Sequence, residues 1–322
     1  MTDPQPSGSE LRFDPLSAEW VSIVGHRQAR PNLPDAGCPF CPGGLEAPEP
    51  YTVRWFENRW PAYSPGAPID PTAAEADGVT RLPAPGAAEV VLFSPDHGAS
   101  LADLGVDQVR AVIDLWAERT AALLARPEIE YVLVFENRGR EVGATIDHPH
   151  GQVYAFPFVP PAPAREGAVA HDAPECPLCA EARREVAEPT RVVARHGDWV
   201  AWVPFASAYA YGLRIAPLTH VGSIPDLDGP SRDDLAAVLV DALGRYDRLW
   251  PDAPGPFPYL LWFHQAPAAG GDEWHLHAHV APPLRAPGVT RYVASGELGS
   301  GTLSNPVVPE AAAAALRAAG PA

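Results

Sequence analysis

Two stretches of the chain carry apolar residues at helical spacing. Val109, Val112, Ile113, Trp116 and Leu123 fall near i, i+3, i+4 and i+7, and so do Leu235, Val238, Leu239, Leu243, Tyr246 and Leu249. Each predicted helix is followed by a short apolar and aromatic run, at 131–135 and 259–263, that reads as a buried strand. Further strand-like runs precede the helices, at 51–60 and 90–93 in the first stretch and at 199–203 and 213–215 in the second. Ser231 is the expected N-cap of the second helix, with Asp234 in its first turn. Residues 61–88, rich in Pro, Ala and Gly, read as a long loop, and the alanine run 311–319 as a surface helix or a frayed tail.

Chemistry-bearing residues follow the same order in both stretches. The first runs Cys38 and Cys41, Asp96-His97, Asp103-Leu104, helix, strand, then His148-x-His150. The second runs Cys176 and Cys179, Thr219-His220, Asp226-Leu227, helix, strand, then His275-Leu276-His277-Ala278-His279. Such self-similarity is the mark of a duplication. The Pro-rich stretch 157–165 places the boundary, giving an N-terminal domain 1–163 and a C-terminal domain 164–322. Strands with single helices and no regular crossover between every strand pair predict an α+β fold: duplicated domains, mostly antiparallel sheet, flanking helices.

Charge narrows the partners. The formal net charge of -17 excludes a non-specific nucleic-acid binder, which needs a basic footprint. All 23 basic residues are arginine, so neither Schiff-base chemistry nor a P-loop lysine is available. Phosphate contacts must come from arginine, backbone N–H groups or metal. No apolar run reaches the length of a membrane span. Residues 1–10 are polar, without the cationic start and apolar stretch of a secretory signal, so a cytoplasmic location is expected.

In that compartment paired cysteines read as metal or redox sites rather than structural disulfides. Cys38 and Cys41 need two more ligands, and the repeat nominates His97 and His148. A Cys2His2 set suits structural zinc, with no open position. By the same logic Cys176, Cys179, His220 and His275 make a second zinc site, two per chain. Strand alternation puts His275, His277 and His279 on one face. Glu166, His264, His277 and His279 are therefore a competing or additional set, of a kind that suits iron or zinc.

His150 is the candidate nucleophile. An imidazole beside an anchored neighbour is well placed to attack phosphorus, since its pKa lies near neutral pH. Gly151 reads as the point where a substrate approaches the backbone, and 143–145 as a source of N–H groups for phosphate oxygens. Gln152, on the same strand face as His150, donates a hydrogen bond but transfers no proton. The site then suits transfer between phosphates rather than hydrolysis.

These residues resemble the galactose-1-phosphate uridylyltransferase family, a duplicated relative of the histidine-triad proteins. The likeness rests on Glu19-Trp20-Val21, His26-Arg27-x-x-Arg30-Pro31, Cys38-x-x-Cys41, Phe93-Ser94-Pro95-Asp96-His97, Val134-Phe135-Glu136-Asn137, His148-Pro149-His150-Gly151-Gln152 and the His275 to His279 run. It implies ping-pong UMP transfer from UDP-glucose to galactose 1-phosphate, a step of galactose metabolism, through a uridylyl-His150 intermediate. It also implies phosphate contacts by Arg27 and Arg30, uridine contacts by Phe56 and Asn58, and nucleotide-phosphate contacts by Asn137, Gly143, Thr145 and Gln152. Arg291, standing for a lysine, and Glu297 match a C-terminal segment that reaches the sugar phosphate from a partner subunit, so a homodimer is implied. Ile146-Asp147 stands where many members have Asn-Pro, and Gly296 where an aromatic is usual. The competing readings are a related nucleotidylyl phosphorylase, of the ADP-glucose phosphorylase type, and a non-catalytic nucleotide-binding module.

Overall fold

The computed structural model describes residues 9–29, 37–70, 72, 80–253 and 255–320. Its strands are β1 (Glu10–Asp14), β2 (Glu19–Ile23), β3 (Arg54–Glu57), β4 (Arg81–Pro83), β5 (Ala87–Leu92), β6 (Tyr131–Arg138), β7 (His150–Phe156), β8 (Val192–His196), β9 (Trp199–Trp202), β10 (Leu213–Pro217), β11 (Tyr259–His264) and β12 (His277–Ala281). A hairpin of β13 (Leu284–Ala286) and β14 (Val289–Thr290) follows. The helices are α1 (Val106–Leu124), α2 (Pro161–Asp172), α3 (Pro177–Ala187), α4 (Gly229–Leu249), α5 (Ser295–Ser300) and α6 (Pro309–Ala318).

One nine-stranded sheet, in the order β3-β5-β7-β6-β11-β12-β10-β9-β8, runs through both halves. Every ladder in it is antiparallel. The order is nearly palindromic about the β6–β11 seam: β6 answers β11, β7 answers β12, and β5 answers β10. The duplication read from the sequence is therefore a local two-fold in the sheet. At the seam Asn137 pairs with Leu260 and Phe135 with Trp262. A smaller sheet, β2-β1-β4, packs beside the first half; β4 belongs to it, so residues 61–88 are not all loop.

Side chains alternate across a strand, so each strand of the large sheet serves two faces. One face is apolar: Val91, Phe93, Val132, Val134, Val153, Leu261, Phe263, Ala278 and Val280 form a single core with the buried stripes of α1 and α4. The stripes hold the residues whose period predicted the helices, including Val109, Val112, Ile113, Trp116, Leu235, Val238 and Leu239. Within this face Glu89 is buried, with both carboxylate oxygens on Arg119 at 2.8 and 2.9 Å. The Arg119 guanidinium lies 3.6 Å from the Trp55 ring centroid. The opposite face carries the chemistry.

One local expectation changes, and two segments take definite form. The N-cap of α4 is Asp228, whose carboxylate accepts from the Ser231 N–H at 2.8 Å. Ser231 sits inside the first turn and its hydroxyl accepts from the Trp199 indole at 3.1 Å. The Pro-rich stretch at the boundary runs into α2, whose Pro161 occupies the first turn, where a missing N–H costs nothing. The alanine run is the surface helix α6 rather than a frayed tail, and it buries Ala312, Ala313 and Leu316 in the main core.

Candidate active site and metal clusters

Strand β7 begins at His150, and His148 lies just before it, across a proline. His148 is buried and its Nδ1 lies 3.6 Å from Cys41 Sγ; His97 Nδ1 lies 3.6 Å from the same sulfur. With Cys38 they form one cluster whose ligand atoms all lie within 4.8 Å of one another. A tetrahedral zinc with ordinary Zn–S and Zn–N bonds has S···N edges of about 3.5 Å, so the cluster matches that ion in donor type and spacing. The Phe40 N–H points at Cys38 Sγ at 3.4 Å, which favours the thiolate. Burial pushes the His148 imidazole below its ordinary pKa and so keeps it neutral, the ligating form.

On its far side His148 Nε2 lies 2.8 Å from the Ser94 carbonyl and 2.8 Å from Tyr51 Oη, and the Tyr51 hydroxyl donates to the Phe40 carbonyl at 2.7 Å. A carbonyl that receives the remote ring N–H fixes both the tautomer and the ring plane of a ligating histidine. Tyr51 was not among the residues singled out in the sequence. Its only signal was membership of the aromatic run after the cysteine loop.

The second copy repeats the arrangement. Cys179 Sγ lies 3.4 Å from His220 Nδ1 and 3.4 Å from His275 Nδ1; Cys176 Sγ lies 3.5 Å from His275 Nδ1. His275 Nε2 faces the Pro217 carbonyl at 3.2 Å, as His148 faces that of Ser94. Burial, reinforced by His220 and His277, lowers the pKa of His275 to about 4. Burial raises that of Cys179 to about 11, a cost that a bound cation would offset by favouring the thiolate.

Glu166, delivered by α2, meets His264, His277 and His279 in a third cluster. Glu166 Oε2 lies 2.7 Å from His264 Nδ1 and 3.5 Å from His277 Nε2, and Oε1 lies 3.9 Å from His279 Nε2. Burial acts to raise the Glu166 pKa, but the hydrogen bonds and charge of His264 and His277 outweigh it and hold the carboxyl well below the usual range. The two candidate sets for the second half thus do not compete. His275 turns to the cysteines before β12 starts, and only His277 and His279, inside the strand, share the Glu166 face.

Beside the first cluster, His150 Nδ1 lies 2.8 Å from the His148 carbonyl. That oxygen can only accept, so Nδ1 carries the proton and Nε2 keeps its lone pair. His277 repeats the bond, with Nδ1 2.8 Å from the His275 carbonyl. The edge of the Phe40 ring packs on His150, with centroids 5.2 Å apart, and Phe40 also touches Phe56. A cleft of about 650 Å³ is lined by His150, Asn137, Gly139 and Arg140 among others.

Other nominated residues fall into distinct places. Gln152 lies on β7 opposite Phe135 and Val90, on the His150 face. Arg27 donates to the Trp60 carbonyl at 2.9 Å and to Tyr154 Oη at 2.8 Å, and Asn58 accepts from the Trp60 N–H at 2.9 Å. Arg30 lies outside the described residues. Gly143 and Ala144 already donate their N–H groups within a tight turn, to the Arg140 and Gly139 carbonyls, each at 3.1 Å. Gly151 has a different reason from the one read in the sequence: a Cβ there would meet the Phe93 ring at 2.7 Å and the Phe135 carbonyl at 2.9 Å, on the core face. Arg291 and Glu297 pair with each other, and Glu297 also accepts from the Ala294 and Ser304 N–H groups at 2.8 and 2.7 Å. Neither lines the His150 cleft of its own chain.

A duplicated α+β frame that holds one such histidine beside a Cys2His2 cluster defines a nucleotidyl-transferring enzyme. The sequence profile "Galactose-1-phosphate uridyl transferase, N-terminal domain" matches residues 5–160 and that of the C-terminal domain residues 170–320. The galactose-1-phosphate uridylyltransferase of Thermotoga maritima is 36% identical over 96% of this chain and 98% of its own length. That of Rattus norvegicus is 33% identical over 95% of this chain and 86% of its own. A solved uridylyltransferase superposes with a TM-score of 0.85 at 30% identity, covering 96% of this chain and 98% of that one. An ADP-glucose phosphorylase of Arabidopsis thaliana, with ADP-glucose bound, superposes at 0.71 and 25% identity, covering 97% and 98%. The chain belongs to the galactose-1-phosphate uridylyltransferase family. Among the described residues no helix is long and apolar enough to cross a membrane.

Proposed function

We propose that this enzyme transfers UMP from UDP-glucose to galactose 1-phosphate through a uridylyl-His150 intermediate. The observation that carries the reading is the 2.8 Å contact between His150 Nδ1 and the His148 carbonyl, which leaves Nε2 as a lone pair on a strand end anchored by the first Cys/His cluster. Nε2 attacks the α-phosphorus, the bond to the bridging oxygen breaks, and glucose 1-phosphate leaves. In the second half-reaction a phosphate oxygen of galactose 1-phosphate attacks the same phosphorus and Nε2 is released. Neither step needs a proton donor, because both exchanging groups are phosphates. That suits Gln152, whose carboxamide donates to a phosphoryl oxygen. Asn137 and Thr145 hold the nucleotide phosphates, with Gly143 shaping the turn that leads to Thr145; Phe56 and Asn58 hold the uridine, and Arg27 and Arg30 the remaining phosphate charge.

Cys38, Cys41, His97 and His148 would hold one zinc, and Cys176, Cys179, His220 and His275 a second. Each would supply structural cross-linking. Glu166, His264, His277 and His279 would hold iron or zinc, so the chain has ligands for three ions rather than the two expected. Arg291 and Glu297 would serve the site of a second copy. Exposed Tyr292, Val293, Leu298 and Leu303 on the same C-terminal arm support a homodimer that covers them. A cytoplasmic location fits this chemistry.

Mass spectrometry after incubation with UDP-glucose tests the reading: wild type gains one UMP at His150, and His150→Gly does not. Absence of the adduct in metal-loaded wild type removes the covalent mechanism. Faster exchange with ADP-glucose and inorganic phosphate than with the uridylyl pair would assign the phosphorylase activity instead.

A further inference from the structure

The cleft that holds His150 must receive a diphosphate, yet its ionisable lining includes the acidic residues Asp103, Glu141 and Asp147, against Arg138 and Arg140. The chain has no lysine and a net charge of -17, so no general positive field compensates. Arg138 is already committed: its Nη1 donates to Asp247 at 2.9 Å, its guanidinium lies over the Tyr259 ring, and its side chain is 11% exposed.

Arg140 differs. It opens a single 3-10 turn, Arg140–Val142, between β6 and β7, and its side chain is 67% exposed. The turn is closed on itself, with Val142 and Ala144 both donating to the Gly139 carbonyl. Gly139 at φ 96 and Gly143 at φ 84 make the bends that close it. Of the five guanidinium donors, one, on Nη2, meets Asp147 Oδ2 at 3.0 Å. Asp147 immediately precedes the buried cluster residue His148, so one end of this ion pair is tied to a fixed point beside the nucleophile.

Resting on the uridylyl-transfer reading above, we propose that Arg140 is a phosphate-binding residue of this cleft and that Asp147 is its positioning residue. The ligand class is the diphosphate of a nucleotide sugar. Arg140 keeps Asp147 on one donor and offers the remaining ones to phosphoryl oxygens, a bidentate geometry that suits guanidinium. The alternative role is plain neutralisation: Arg140 would only cancel a carboxylate that otherwise repels the substrate. The two roles differ in what the double variant does.

Calorimetric binding of UDP-glucose, and KM and kcat at low and high salt, are measured for wild type, Arg140→Gln, Asp147→Asn and the double variant. An exposed pair contributes little to folding, so all four are expected to fold. A charge-assisted contact sets the scale: Arg140→Gln weakens binding and raises KM about tenfold, with little change in kcat and a shallower salt dependence. Asp147→Asn keeps an oxygen acceptor for the guanidinium and binds about as tightly as wild type, whereas Asp147→Ala, measured alongside, releases Arg140 and weakens binding; the Arg140→Gln, Asp147→Asn double variant is as weak as Arg140→Gln. A double variant that regains wild-type affinity overturns the proposal in favour of neutralisation. So does an Arg140→Gln protein with unchanged affinity and salt dependence. The binding arm is independent of turnover: if wild type forms no UMP adduct yet Arg140→Gln loses UDP-glucose affinity, the transfer reading falls and the Arg140 assignment stands.

Discussion

Replacing Gly151 by alanine separates a packing role from a substrate role one residue from the nucleophile. The new methyl group would stand 2.7 Å from the Phe93 ring and 2.9 Å from the Phe135 carbonyl, on the face of β7 that looks into the core. Neither neighbour gives easily. Phe93 is fully buried and packs edge-on against Trp116, with centroids 5.7 Å apart. The Phe135 carbonyl lies in the β6–β7 ladder, where Phe135 is in register with Gln152. Overpacking of this kind costs about 1–3 kcal/mol. Loss of chain freedom in the unfolded state returns about 0.4–1 kcal/mol. The net expectation is a destabilisation of about 1–2 kcal/mol, or a fall in Tm of about 1.5–3 °C for a chain of this length. Thermal and urea melts of metal-loaded protein measure it, with kcat/KM alongside. Phe93→Leu should absorb the methyl group, so the double variant should be no less stable than Phe93→Leu alone. An unchanged Tm with lost activity would refute the packing account and return Gly151 to the role of a substrate approach.

Three further outcomes are expected. Glu89→Gln leaves Arg119 buried without its counter-charge and should cost about 3–5 kcal/mol in urea unfolding, whereas a loss below 1 kcal/mol would mean that water reaches the pair. Burial raises the pKa of Glu136 from 4.5 to about 7, so the folded state holds a proton that the unfolded chain has released. Its contribution to stability is complete below pH 4.5 and is lost as pH rises through 7, and Glu136→Gln should flatten that part of the stability–pH curve. Finally, Cys179→Ser should remove one ion by elemental analysis and lower Tm while the UMP adduct at His150 still forms; loss of two ions at once would mean that the second-half clusters bind cooperatively.

Much of this was legible because the period of the apolar residues and the order of the ligands agree. The stripes from Val109 and Leu235 are the buried faces of α1 and α4, and the repeated Cys, His, His-x-His order marks two clusters that form as read. What the sequence hid is tertiary. The set of Glu166, His264, His277 and His279 could be named only as a competitor or an addition to the Cys176 site, and it takes the fold to show that α2 brings Glu166 to its three histidines while His275 serves the cysteines. His275 reads as a strand residue by alternation, but β12 begins at His277, so its ring is free to turn to the cysteines. Tyr51 supports His148 from a distant part of the chain, a contact no local pattern encodes. Gly151 was legible as a position intolerant of a side chain, but not on which face.

The near-palindromic strand order has a consequence for how one site became unlike the other. Two identical subunits meeting at a β6–β11 seam could not place a carboxylate at one of two equivalent pockets and leave it out of its mate. A single polypeptide can, because α2 follows β7 only once and can reach only one side. Glu166 occupies the neighbourhood of His277, the counterpart of His150. Covalent continuity, rather than any change in the shared scaffold, is what lets one imidazole of the related pair meet a carboxylate that the duplicated plan delivers only once.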